Sequence, residues 1–68
     1  MLYGGEELKN NLKKLRGDKK QKEIAEPIGI TISYYGMIEN GLRTPSLELA
    51  KKLSDHFKVP IDKIFFGD

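Results

Sequence analysis

Ile32, Ser33, Gly36 and Met37 share one side of a short helical segment, and their types ask for the chemistry of contact rather than of bond-making. At about 100° per residue and with Ile32 set to zero, Ile32, Gly36, Asn40, Ser33 and Met37 fall within roughly the first 140° of the wheel. Tyr34, Ile38, Thr31, Tyr35 and Glu39 fall between roughly 200° and 340°. The second set holds both rings and Ile38, so it is the core face. The first set carries no charge, in a chain that is 32% charged. A solvated helix face normally carries lysine or glutamate, so this one reads as a surface made to touch something. Gly36 agrees, because a mid-helix glycine costs about 1 kcal/mol relative to alanine and removes a side chain where a partner would approach. Glu39, at the edge of the core, would be costly unpaired. Arg16, at the end of the first helix, is its candidate partner.

Basic residues stand close by. Lys9, Lys13, Lys14, Arg16, Lys19, Lys20 and Lys22 fall in one stretch opposed only by Asp18, although the formal net charge is just +2. Such a stretch fits a polyanion, but on charge alone the solvated helix face is the commoner explanation. The parts of a catalyst are absent: no serine or cysteine nucleophile beside a base, no paired carboxylates in a cleft, no phosphate-cradling glycine loop and no metal constellation. His56 is the only histidine and has no ligand companion, so it is expected at a surface or rim, and no cofactor or small-molecule ligand is expected. Cysteine is absent, which fits a reducing cytoplasm. No apolar run approaches the roughly 18 residues of a membrane span, and MLYGG lacks the regions of a signal peptide, so a cytosolic protein with no membrane partner is expected.

The elements that must position these groups are helical. At 68 residues there is room for one core; a chain near this size buries only about 60% of its unfolded surface. Leu8, Leu12 and Leu15 recur at helical spacing, and Gly17 stops that helix. Asp18 and Gln21 form a D-x-x-Q pattern read as a capping box for a second helix. Pro27 is expected to shorten, kink or tighten its end, and Gly29 allows a turn. Thr31 is an N-cap for the third helix, which ends at Asn40-Gly41. Ser46 caps a fourth helix with an apolar stripe of Leu49, Ala50, Leu53 and Phe57, and IDKIFF makes a short fifth. The expectation is one all-α domain over residues 1–68, with helices at about 6–16, 19–27, 31–39, 46–57 and 61–66.

The stretch KEIAEPIGITISYYGMIENGLRTPSLELAKKLSDHFKVPIDKIF resembles the phage-repressor or Xre-type helix-turn-helix domain, in which Gln21, Ala25, Gly29, Ile38, Glu39, Gly41 and Pro45 stand at pattern positions. The resemblance covers roughly residues 6 to 66. It implies a compact five-helix, lambda-repressor-like fold that binds double-stranded DNA with its third helix in the major groove. Carried onto matching positions, it implies base reading by Ile32, Ser33, Gly36 and Met37, and phosphate contact by Gln21, Thr31, Asn40 and Arg43. It also implies an interhelical ion pair between Arg16 and Glu39. Lys20 and Lys22 add electrostatic attraction, and Tyr34, at the boundary of the two faces, either packs its ring or sends its hydroxyl to a phosphate. Gln21 has a second reading, as a capping side chain. Pro27, Lys20 at a position where serine or threonine is usual, and the shortened LRGDKKQ connection depart from the family's pattern.

In the major groove thymine alone presents a methyl group, and apolar side chains read it by packing. With Ile32 and Met37 on the reading face, direct readout is expected to favour thymine and to lean on DNA shape. A homodimer on a roughly palindromic operator, acting as a bacterial or phage-encoded repressor, is the expected assembly. Ile64, Phe65 and Phe66 are a candidate dimer surface, with closure of the core as the alternative for the first two. A different class of function remains open at this point, a protein-interaction module such as an antitoxin or antirepressor that docks a partner on Ile32, Gly36 and Met37.

Overall fold

The structure, a computed structural model, describes residues 10–65. Among the described residues five α-helices follow one another: α1 Leu12–Arg16, α2 Gln21–Ile28, α3 Ile32–Glu39, α4 Leu47–Phe57 and α5 Ile61–Phe65. No strand occurs among the described residues. None of these helices is long and apolar enough to cross a membrane. The architecture is the all-α one expected from the spacing of apolar residues. Leu12, Ile24, Ala25, Ile28, Tyr35, Ile38, Leu49, Leu53 and Ile64 close into one core, so every helix contributes at least one buried side chain.

The first helix is shorter than its leucine spacing implied. Residues 6–9, including Leu8, lie outside the described residues, and Asn10 and Asn11 stand ahead of the helix. The two asparagines serve other helix ends. Asn10 Nδ2 donates to the carbonyl of Ile38 at 2.9 Å, while the Asn11 amide and side chain donate to the carbonyls of Ile64 and Lys63 at 2.8 and 2.7 Å. Helix C-termini leave such carbonyls without an intrahelical partner, and this clasp answers them.

The start of α2 also corrects an expectation. Asp18 does not cap the helix; Lys20 occupies the N-cap position in extended backbone, and the Glu23 carboxylate reaches back to accept from the Lys20 amide at 3.1 Å. A lysine side chain has no acceptor, so only this half of a capping box forms. The reason is the turn before it. Arg16 donates to the Lys19 carbonyl at 2.7 Å and the Lys19 amide donates to the Arg16 carbonyl at 3.1 Å, which occupies the residues after Asp18 with a turn.

Pro27 sits inside α2 without breaking it. It deprives the Glu23 carbonyl of a donor, but Glu23 and Pro27 are both on the exposed side, where water can answer that carbonyl. The end tightens as expected: the Gly29 amide donates to both Ala25 and Glu26, and Ile30 donates to Ala25. Gly29 takes φ 90°, a left-handed conformation that costs glycine nothing.

Candidate nucleic-acid interface

The helix α3 is held by caps at both ends before any tertiary contact is counted. Thr31 Oγ1 accepts from the Tyr34 amide at 3.0 Å, the N-cap expected of that residue. At the other end Gly41 has φ 79°, its amide donates to Ile38, and Leu42 donates to the Met37 carbonyl at 2.8 Å. This pair of bonds is a Schellman motif, which satisfies the last carbonyls and stops the helix. The loop through Arg43 and Pro45 leads to α4, whose Ser46 hydroxyl accepts from Leu49 at 3.1 Å.

The sides of α3 divide as the wheel requires. Tyr35, Ile38 and Glu39 are buried. Ile32 is 45% exposed and Met37 37%, and Ser33, Thr31 and Asn40 are also exposed, while Gly36 is half-buried. An isoleucine and a methionine this open to water lie on an uncharged surface. Tyr34 is half-buried and packs its ring against the core, beside a shallow depression bordered by Ile30, Leu49 and Lys52.

Beneath that surface runs a charged cluster. Arg16 Nε donates to Glu39 Oε2 at 2.8 Å and its Nη2 to Glu39 Oε1 at 3.0 Å, a two-point pairing. Gln21 Nε2 donates to the same Oε1 at 3.0 Å. Three helices therefore meet at one carboxylate, α1 through Arg16, α2 through Gln21 and α3 through Glu39. The Glu39 side chain is 1% exposed and that of Arg16 is 16% exposed. Burial alone would raise the Glu39 pKa, but the hydrogen bonds from Arg16 and Gln21 and the guanidinium charge outweigh it, so the carboxyl is held below its usual value. The same bond to Glu39 raises Arg16 further above its usual value.

The Tyr35 hydroxyl is buried within reach of this pair yet outside hydrogen-bonding geometry among the described residues. Burial first, and then the charge of Glu39, push its pKa up. Nothing in the residue pattern marks this hydroxyl as orphaned, because tyrosine at a core position ordinarily finds a partner.

The charged residues assigned to phosphate lie on the outside. Lys20, Lys22 and Arg43 are exposed, as are Lys13, Lys14 and Lys19. Lys22 makes a loose i,i+4 contact of 3.9 Å with Glu26, and both ends remain open to water. Gln21 is different: its side chain is engaged inside the protein with Glu39. Of the candidate dimer residues, Ile64 is fully buried and belongs to the core, so it is not available to a partner. Phe65 is half-buried and packs on that core, and Phe66 lies outside the described residues. Among the described residues the most exposed large apolar ones are instead Leu42 at 68% and Leu47 at 67%, which the helical patterns did not mark because they flank the α3–α4 loop. His56 is half-buried at a rim beside Asp55. No group of acidic or histidine side chains among the described residues could hold a metal ion.

Two comparisons join this geometry. A family described as helix-turn-helix matches residues 12–64. The chain is also 45% identical over 60 residues to a Bacillus subtilis (strain 168) protein named uncharacterized HTH-type transcriptional regulator YqaF. The aligned region covers 84% of this chain and 76% of that protein.

Proposed function

The chain belongs to the helix-turn-helix family of the Xre type, and from that premise we propose that it is a transcriptional repressor that binds a roughly palindromic operator as a homodimer. The observation that carries this reading is the pairing of an uncharged, partly apolar outer face on α3 with exposed lysines on the segments before it. Phosphates supply sequence-independent attraction and base edges supply choice, so the two sets of residues divide the work.

Lys20 and Lys22 provide the attraction, each neutralised phosphate adding about 0.9 to the slope of log affinity against log salt. Thr31 keeps a hydroxyl hydrogen free to donate to a phosphate while its oxygen caps α3. Asn40 and Arg43, exposed just past α3, take backbone contacts there. Ile32 and Met37 pack on thymine methyls, and Ser33 is the polar reader beside them. So short a face reads few base pairs. Two copies, with half-sites about 34 Å apart, are needed for a useful site. The protein acts in the cytoplasm, where such a site is accessible.

Selection from randomised duplex DNA tests the reading. A two-fold-symmetric motif with thymines in each half-site, and affinity that falls steeply with salt, is the expected result. Weak binding to every duplex with no enriched motif would sink it. Because Ile32 and Met37 are adaptable apolar groups on an exposed face, the second reading in that case is a protein-docking surface for a partner such as a toxin or repressor.

A further inference from the structure

Asn40 and Gly41, the pair that ends α3, can also react with each other. The backbone nitrogen that follows an asparagine is a nucleophile one five-membered ring away from the side-chain carbon Cγ. Glycine leaves that nitrogen unshielded, because it carries no side chain to stand in the way. Asn40 is exposed, just past the helix face that carries Ile32 and Met37.

The fold holds this reaction shut. Ring closure needs the Gly41 nitrogen eclipsed with the Asn40 Cβ. With Asn40 ψ at 3°, that nitrogen is eclipsed instead with the Asn40 amide nitrogen, away from Cβ. The Gly41 N–H is also occupied, donating to the Ile38 carbonyl at 3.0 Å, and attack requires that proton to be lost. The Ile38 carbonyl is pinned in turn, because Asn10 Nδ2 donates to the same oxygen at 2.9 Å from the segment ahead of α1. A carbonyl oxygen has two lone pairs and accepts both. Ile38 is itself fully buried. Freeing Gly41 therefore means parting the end of α3 from the core and from the chain before α1, not merely fraying one turn.

We propose that Asn40-Gly41 is a self-modification site, closed in the folded domain and opened by unfolding, at which deamidation ends DNA binding. This rests on the reading of Asn40 as a phosphate contact. In the opened chain the Gly41 nitrogen gives its proton to hydroxide and bonds to Asn40 Cγ. The Cγ–Nδ2 bond breaks, and Nδ2 leaves as ammonia after taking a proton from water. Water then opens the succinimide at either carbonyl to give aspartate or isoaspartate. One water is consumed, one ammonia is released, and nothing is oxidised or reduced. Either product places a negative charge where a phosphate is to be met, and at a helix C-terminus, whose dipole disfavours it. A copy that has spent time unfolded is thus retired from DNA binding even after it refolds.

The test incubates the full chain at one mildly alkaline pH, in buffer and in guanidinium chloride, and follows the tryptic peptide Glu23–Arg43 by mass spectrometry. Opening and closing are fast relative to this chemistry, so the native rate tracks the opened fraction, about one in a hundred to one in ten thousand for a domain this small. Deamidation is expected to be slower in buffer than in denaturant by that factor. Arg16→Met, which loses most of the stability, is expected to react in buffer within about tenfold of the denatured rate. Asn40→Asp, the product made directly, is expected to bind the duplex selected by wild type about tenfold more weakly at low salt, with a gap that narrows as salt rises. Equal rates in buffer and denaturant would overturn the gating, and undiminished affinity in Asn40→Asp would overturn its consequence. No selected motif from wild type would overturn the operator reading and the loss of binding with it, whereas the two rates report on the site without DNA.

Discussion

The two sides of α3 invert the usual placement of charge. Its buried side carries Glu39, locked to Arg16 and Gln21, whereas its exposed side carries Ile32, Ser33, Gly36 and Met37 and no charge at all. Inside, the carboxylate gathers three helices at one point and sets where α3 stands. Outside, Ile32 and Met37 leave 45% and 37% of their surface open to water. The difference separates what positions the helix from what the helix presents.

The sharpest way to break that contrast is from within. Arg16→Met leaves Glu39 buried without its counter-charge, and such half-pairs cost about 3–5 kcal/mol, comparable to the whole stability of a domain this small. Chemical denaturation should show loss of the cooperative transition or a large fall in its midpoint. The same pair sets a pH dependence. Glu39 is depressed in the folded state, so its contribution is present above the ordinary glutamate value of 4.5 and is lost as pH falls through the lower folded value. Thermal midpoints of wild type should drop in that acid range more steeply than those of Glu39→Gln.

From the outside the effects should separate. Ile32→Ala combined with Met37→Ala is expected to change stability by no more than about 0.5 kcal/mol per site while reducing affinity for the selected duplex by about tenfold or more. Melting and anisotropy titration on the same sample distinguish the two quantities; a comparable loss of stability would show that these residues pack rather than read. The smallest effect is expected at Tyr35→Phe. Removing a buried hydroxyl that has no partner among the described residues should leave stability unchanged or raise it by up to about 1 kcal/mol, as measured by denaturant midpoint. A loss larger than that would show that the hydroxyl is bonded within the Arg16–Glu39 cluster after all.

Much of this was legible in the chain because local rules governed it. Thr31 and Ser46 are caps wherever a helix follows them, and Gly29 and Gly41 sit where left-handed backbone was required. The split of α3 into two faces followed from one angle per residue. Other features were not legible. The Asp18 capping pattern lost to a turn built by Arg16 and Lys19, and the choice for Ile64 between core and dimer surface, both open in the pattern, fell to the core where the Asn11 backbone and side chain bond the end of α5. Neither competitor is local to the motif it displaced.

The sequence by itself therefore determined an all-α domain, the cap residues, the uncharged face of α3 and the need of Glu39 for a cation, since each depends on side-chain type and helical period alone. Only the tertiary structure decided that Gln21 shares that carboxylate, that its amide packs against Gly36, and that the Tyr35 hydroxyl has no hydrogen-bond partner among the described residues. Those outcomes depend on the distances between α1, α2 and α3. Hydrogen bonds hold or fail over a few tenths of an ångström, and helical periodicity does not specify the spacing between helices to that precision.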